Sequence, residues 1–135
     1  MSTPTVWDDE LYKYLHRSDI KQAIEDENLD YVYEKLTPGI RWALTKFLYE
    51  HDIDPLDYVE VVYEMMFCYH DQSKLVLPEN ICHIEDNAFH GSKIMDLVIA
   101  NSICSIDVRA FNGLNPLCKI LYGGYKYGPD GKGID

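Results

Sequence analysis

The chain has 135 residues, of which 47% are apolar and 26% are charged, and its formal net charge is −11. This length allows one domain with a buried core and hardly two. No apolar run approaches the roughly 18 residues of a membrane helix, and the start, MSTPTVWDDELYKYL, lacks the basic and apolar regions of a secretory leader, so we expect a cytoplasmic protein.

The negative charge is concentrated in the front half of the chain. Residues 1–70 hold 15 Asp and Glu against 6 Lys and Arg, whereas residues 71–135 hold 8 against 6. Because binding phosphates requires Lys and Arg, this distribution disfavours direct binding of nucleic acid. An acidic surface can instead compete for a basic groove on another protein.

Four helices are predicted within residues 1–52. The first covers DDELYKYLHR, with Asp8 as its N-cap, and the second covers SDIKQAIEDE, with Ser18 as its N-cap. The third covers NLDYVYEKL, and the fourth starts at Thr37 and Pro38, a capping residue followed by proline in the first turn, and ends near His51. The residues predicted to face inward are Leu11, Tyr14, Leu15, Ile20, Ala23, Ile24, Leu29, Val32, Tyr33, Leu36, Ile40, Ala43, Leu44, Phe47 and Leu48.

The back half contains a sequence repeat. LVLPENICHIEDNAFHG (75–91) and LVIANSICSIDVRAFNG (97–113) are identical at 8 of 17 positions when they are offset by 22 residues. A fixed period of this length is typical of stacked coils, in which each turn buries its apolar face against the next. One period earlier, IDPLDYVEVVYEMMF begins at Ile53 and keeps the core positions, which indicates a degenerate first copy.

The repeat pattern L-x-L-P-x-x-I-x-x-I-x-x-x-A-F-x-G resembles the BspA-type leucine-rich repeat. Asn80 departs from the family's usual serine, Ala100 replaces its proline, and Ser92 stands where cysteine is common. The resemblance covers about half of the chain. It implies a short solenoid that binds other macromolecules and implies no catalytic residues. The layout is also similar to small proteins of bacteria, phages and prophages.

The predicted architecture is α+β and forms one compact unit. A helical cap (1–52) precedes a leucine-rich-repeat solenoid with a parallel strand ladder (53–123). The solenoid comprises a degenerate repeat (53–74), repeats 75–96 and 97–119, and a terminal strand (120–122), and a glycine-rich tail (124–135) follows that we expect to be flexible. Ile120, Leu121 and Tyr122 would then form an open edge strand, which predicts a partner or self-association site.

No catalytic, cofactor or metal site is predicted. Cys82 and Cys104 hold the same place in two repeats and are interpreted as reduced thiols on adjacent coils, although a metal or redox pair stays an alternative. Cys82, His83 and His90 lack the spacing of a zinc site. The tail GGYKYGPDGKG lacks the spacing of a phosphate-binding loop, and a narrow solenoid leaves no pocket for chemistry, so we expect no enzyme.

Function is predicted as binding of another protein. The candidate surface is an acidic face made of Glu25, Asp26, Glu27, Asp30, Asp52, Asp54 and Asp57. Eight tyrosines in the same half suit a protein interface equally well as the cap's core. In its sharper form the face mimics nucleic acid and inhibits a host defence complex, such as a CRISPR or restriction complex. The alternative is a structural protein that associates with itself through the edge strand.

Overall fold

The structure, a computed structural model, describes residues 6–134 of the chain. It is an α+β fold in which four helices precede two sheets. The helices are α1 (Val6–Leu15), α2 (Ser18–Glu25), α3 (Leu29–Lys35) and α4 (Pro38–Glu50), and a 3-10 turn (Pro55–Asp57) follows them. The strands are β1 (Val61–Val62), β2 (Lys74–Leu77), β3 (His83–Ile84), β4 (Asp96–Ile99), β5 (Ser105–Ile106), β6 (Lys119–Tyr122) and β7 (Tyr125–Tyr127).

The helix starts differ in part from those predicted. Helix α1 already begins at Val6, so Asp8 lies within the helix and is not its N-cap. Ser18 is the first helical residue of α2, and Arg17 takes the N-cap position. Thr37 is the N-cap of α4, with proline in the first turn as predicted, but its hydroxyl makes no capping hydrogen bond. Asn28 is the N-cap of α3, and its side chain accepts a hydrogen bond from the backbone nitrogen of Tyr31.

Two parallel ladders join segments that lie one period of the sequence repeat apart in the chain. In the larger sheet β2 pairs with β4 so that Leu75 faces Leu97, and β4 pairs with β6 so that Leu97 faces Ile120. In the smaller sheet the order is β1-β3-β5, and Val62 faces Ile84. The strand pairing therefore places equivalent positions of the sequence repeat side by side.

The core runs without a break from the helices into the sheets. Phe67, Phe89 and Phe111, which hold equivalent positions in successive copies of the sequence repeat, form a stack with ring centroids 6.0 and 6.4 Å apart. The first two rings are fully buried, and the third is partly exposed. At the helical end Tyr33 is fully buried, and its hydroxyl bonds to that of Thr45 at 2.8 Å.

Three residues predicted to be inward-facing lie at the surface. Ile24, Phe47 and Ile53 are 43%, 40% and 38% exposed. Ile24 occupies the last turn of α2, and Ile53 follows the end of α4 outside any strand. The 22-residue period aligns Ile53 with Leu75, which is buried in β2, whereas Ile53 precedes β1, the two-residue strand of the predicted first copy. The later core positions that the 22-residue period predicts in this copy are buried: Leu56, Val59, Val62, Met66 and Phe67.

The prediction of an open edge at Ile120, Leu121 and Tyr122 was wrong. The described part of the tail turns back as β7, which pairs antiparallel with β6 and places Tyr127 opposite Ile120. The chain then turns again and lies along the other edge of β7, where the amide of Ile134 donates to the carbonyl of Lys126 at 2.8 Å. The described part of the segment expected to be a flexible tail therefore lies against the sheet.

Candidate binding surface

Four of the predicted acidic residues come together in one groove. Asp26, Glu27, Asp30 and Asp57 line an open groove of about 500 Å³, which Glu60 and Asn80 also line. One wall is the turn between α2 and α3, and the other is the segment from the 3-10 turn to β1. Glu27 stands in that first wall with a positive φ of 57°, a conformation in which the chain reverses sharply between two helices.

Asp30 joins the two walls of the acidic groove. Its carboxylate accepts a hydrogen bond of 2.6 Å from the hydroxyl of Tyr63, and both of its oxygens lie 3.2 Å from the backbone nitrogen of Glu60. The pKa of the Tyr63 hydroxyl is raised, mainly by burial and secondly by the hydrogen bond to Asp30. Tyr63 therefore stays a donor at neutral pH. Asp30 is therefore primarily a structural clamp.

Asn80 lines the groove and binds the backbone of the preceding segment. Its amide nitrogen donates to the carbonyl oxygens of Leu56 and Val59 at 2.7 and 2.8 Å. These carbonyls belong to the segment that precedes β1, where no described strand pairs with them. The longer side chain of asparagine reaches both, which gives a physical reason for its presence at a position where the resembling family has serine.

The other predicted acidic residues lie outside the groove lining. Asp54 accepts hydrogen bonds from the backbone nitrogen of Leu56 at 3.0 Å and from the hydroxyl of Tyr49 at 3.3 Å, so it caps the 3-10 turn. Asp52 has a positive φ of 60° in the turn that ends α4. Glu25 is exposed at the end of α2. The structure thus divides the predicted face into a groove and structural positions around it.

Asp26, Glu27, Asp57 and Glu60 remain as the exposed carboxylates of the groove. Among the described residues none of the four forms an ion pair, and only Asp26 accepts a side-chain hydrogen bond, from Gln22 at 3.1 Å. We call these four residues the groove carboxylates. They line one open surface, and no cation of the described residues pairs with them, which suits a positively charged partner.

An apolar cleft adjoins the acidic groove. It has a volume of about 190 Å³ and is lined by Ile24, Leu29, Leu48, Ile53, Tyr58 and Glu27. Tyr58 and Glu27 also line the groove, so the two depressions share a wall. Sequence reasoning missed the cleft and Glu60, because helical periodicity assigned Ile24 to the core and the alternation of YVEVVY gave no sign of where Glu60 points.

A larger cleft of about 620 Å³ lies between α4 and the start of β2. His70 at its base is 4% exposed and packs edge-on against Trp42, with ring centroids 5.6 Å apart. Burial lowers the pKa of His70, so its ring is held neutral. The rim carries charges of both signs, including Lys46, Glu50, Asp71 and Lys74, and therefore favours no single class of ligand.

The described residues give no support for a metal or redox centre. No group of three or more His, Cys, Asp or Glu in residues 6–134 could hold a metal ion. All four cysteines are free thiols, and Cys82 and Cys104 are adjacent through a backbone hydrogen bond of 2.7 Å. Burial raises the pKa of Cys118 to about 11, which makes that thiol a poor nucleophile at neutral pH.

The tyrosines divide between the core and the surface. Tyr33 and Tyr63 are buried and stack with ring centroids 5.7 Å apart, whereas Tyr12, Tyr58 and Tyr69 are exposed. Tyr58 alone of these three lines the acidic groove. The tyrosine count of the front half therefore reflects core packing as well as surface.

Comparison with protein-family models, with curated proteins and with solved structures found no match to this chain. Within residues 6–134 no helix combines the length and the apolar character needed to cross a bilayer.

Proposed function

We propose that the chain is a non-catalytic protein-binding module whose acidic groove occupies a basic surface of another protein. The observation that carries this proposal is the convergence of Asp26, Glu27, Asp57 and Glu60 from two separate segments onto one open surface. Unpaired carboxylates at such density attract a Lys- and Arg-rich partner and repel nucleic acid.

The scaffold in this proposal is a short leucine-rich-repeat solenoid of the BspA type with a helical cap. Its support is the pairing of β2 with β4 in the register of the sequence repeat, together with the stack of Phe67, Phe89 and Phe111. A side chain that recurs beside its own equivalent is what a repeat needs to fill one inner column. The helices cover the column at its front end, and the hairpin of β6 and β7 covers the strand edge at the other.

The partner class that we propose is a host nucleic-acid-handling or defence complex, whose basic groove the acidic face would block in the cytoplasm. The groove carboxylates would take the places of phosphates in that groove. The alternative function, a structural protein that associates through Ile120–Tyr122, has lost the open edge on which it was based, because β7 pairs with that strand.

The proposal is tested by affinity capture from a bacterial lysate at low and at moderate salt, with the captured proteins identified by mass spectrometry. The test variant is D26N/E27Q/D57N/E60Q. The control, D9N/E10Q/E50Q/D71N, removes the same charge from exposed positions outside the groove. We expect wild type and control to capture the same basic protein at low salt and to release it at moderate salt, since exposed charges are screened.

Capture by the groove variant at the wild-type level would contradict the proposal, as would capture that salt does not weaken. The inhibitor form makes a further demand. Duplex DNA or RNA added in excess must displace the captured protein from the chain, since the two would compete for one basic surface. Simultaneous binding of nucleic acid and the chain would remove that form and leave a binding module.

A further inference from the structure

The apolar cleft beside the acidic groove is an unusual feature for a surface that only imitates phosphates. Ile24, Ile53 and Tyr58 are 43%, 38% and 41% exposed, and they open into the same cleft. Exposed apolar side chains are ordinary singly, but a concave group of them next to a charged rim marks an interaction site.

The dimensions of the cleft fit one side chain. Its volume is about 190 Å³, and an apolar cavity of about 150 Å³ is large enough to hold a benzene ring. A single leucine, isoleucine or phenylalanine would therefore fill it. Leu29 and Leu48, which are buried, also line it, so an inserted side chain would meet apolar atoms of several residues.

The charge around the cleft selects the kind of chain that can present this side chain. Glu27 lies on the shared wall, and Asp26, Asp57 and Glu60 lie along the adjoining groove. Lysines and arginines that flank the apolar residue would reach these carboxylates. A second copy of this chain is disfavoured, because its front half carries a net charge of −9 and would bring carboxylates against carboxylates.

We infer that the groove and the cleft together bind a Lys- and Arg-rich segment of another protein that inserts one apolar side chain among Ile24, Ile53 and Tyr58. This inference rests on the proposed function and adds the chemistry of the partner. The carboxylates supply attraction that salt screens, and the cleft supplies apolar burial that salt does not weaken. A pure phosphate mimic would lack the second component.

The test uses isothermal titration calorimetry of the full chain with two short synthetic peptides. Both consist of lysine and arginine, with leucine at the centre of one and glycine at the centre of the other. Burial of a leucine side chain is expected to make the leucine peptide bind about tenfold more tightly. At moderate salt both affinities fall, but the ratio between them stays the same.

The decisive variant is I24Q/I53Q, in which both changes are at exposed positions and should leave the fold intact. It is expected to bind the leucine peptide only as well as the glycine peptide, while its affinity for the glycine peptide stays at the wild-type value. The matched control is V108Q/L117Q, which alters two residues that are 98% and 75% exposed and line none of the depressions described above. The single variant I53Q, with unfolding curves for all variants, guards against a change of fold.

The outcomes separate this inference from the function beneath it. Equal affinity of wild type for the two peptides, or a leucine advantage that I24Q/I53Q retains, overturns the inference and leaves the acidic binding surface standing. If neither peptide binds, both the inference and the proposed function are overturned. A dimer in sedimentation that I24Q/I53Q dissociates also overturns the inference, because the cleft would then be occupied by a second copy of the chain.

Discussion

Three equivalent positions in successive copies of the sequence repeat share a left-handed backbone. Tyr69, Gly91 and Gly113 have φ angles of 64°, 74° and 84°. The first position carries a tyrosine, whose side chain is 64% exposed. At the second, a Cβ would lie 2.9 Å from the Tyr69 ring, and at the third it would overlap His90. At Gly113 glycine is thus favoured both by the conformation and by the neighbouring segment, whereas at Gly91 the close contact is with the exposed ring of Tyr69.

The substitution Gly113→Ala should destabilise the fold more than Gly124→Ala. Both positions have a positive φ, but a Cβ at Gly113 would lie against the ring and, at 3.0 Å, the Cα of His90, whereas at Gly124 no atom of residues 6–134 lies within 4 Å. Conformational strain alone costs about 1 kcal/mol, and the added overlap should bring Gly113→Ala to about 2–3 kcal/mol. Urea unfolding measures both. Equal losses would show that the packing against His90 does not matter.

His70 should make the fold sensitive to mild acid. Burial lowers its pKa below the ordinary value of 6.5, and Asp71 and Asp54 oppose that shift only in part. The unfolded chain therefore takes up a proton more readily than the folded chain, and stability falls as the pH drops below about 6.5. The variant His70→Phe lacks this contribution. Its free energy of unfolding should decline less than that of wild type between about pH 7.5 and 5, and identical declines would contradict the assignment.

At the scale of elements, the C-terminal hairpin protects the larger sheet. Strand β7 pairs with all of Ile120, Leu121 and Tyr122. The turn before Ile134 in turn covers the other edge of β7. An uncovered parallel edge would present unpaired backbone groups to other chains. The hairpin therefore removes the association site that the repeat pattern predicted.

A chain that ends at Gly124 should expose that edge. Without β7 the amides and carbonyls of β6 lose their partners, so we expect lower stability and association that increases with concentration. Sedimentation velocity of the truncated and full chains measures the difference. Deletion of residues 131–135 keeps β7 paired with β6 but removes the segment that covers β7, so it separates the contribution of β7 from that of the last turn. A truncated chain that stays monomeric and equally stable would show that β7 is dispensable.

The elements that periodicity defines were largely predictable from the sequence, and those that depend on tertiary contact were not. The four helices and the strands of the two clear repeats lie where their apolar spacing places them. Strand β7 was missed because YKY, which follows two glycines and precedes a third, has no apolar period and gains its order from β6. Ile24 was assigned to the core on helical spacing alone, whereas in the structure it is exposed in the last turn of α2.

For the candidate site, the sequence predicted that the surface is acidic but not how its carboxylates are arranged. The acidic run from Glu25 to Asp30 indicated a charged surface, but the division between structural and exposed carboxylates required the fold. Asp30 is held by hydrogen bonds from Glu60 and Tyr63, which lie 30 and 33 positions away, and no local pattern encodes such contacts. The same carboxylate holds the backbone nitrogen of Glu60, which lines the groove from the other wall.

At the scale of the molecule, the net charge of −11 sets a conflict between stability and binding. Like charges repel in the folded state, and the repulsion is greatest where carboxylates converge without cations. If the groove carboxylates serve a partner, the fold should tolerate or even gain from their neutralisation. Asp30 should behave in the opposite way, because its charge is used within the fold.

The pair D57N/E60Q should therefore raise the free energy of unfolding slightly, by less than about 1 kcal/mol, with a gain that shrinks as salt is added. Asp30→Ala should lower it by about 2 kcal/mol, because the Tyr63 hydroxyl loses its acceptor and the backbone nitrogen of Glu60 loses its own. Urea unfolding at low and high salt measures both variants. A loss of stability in D57N/E60Q would mean that these carboxylates are part of the structure, and the acidic groove would no longer be a surface maintained for a partner.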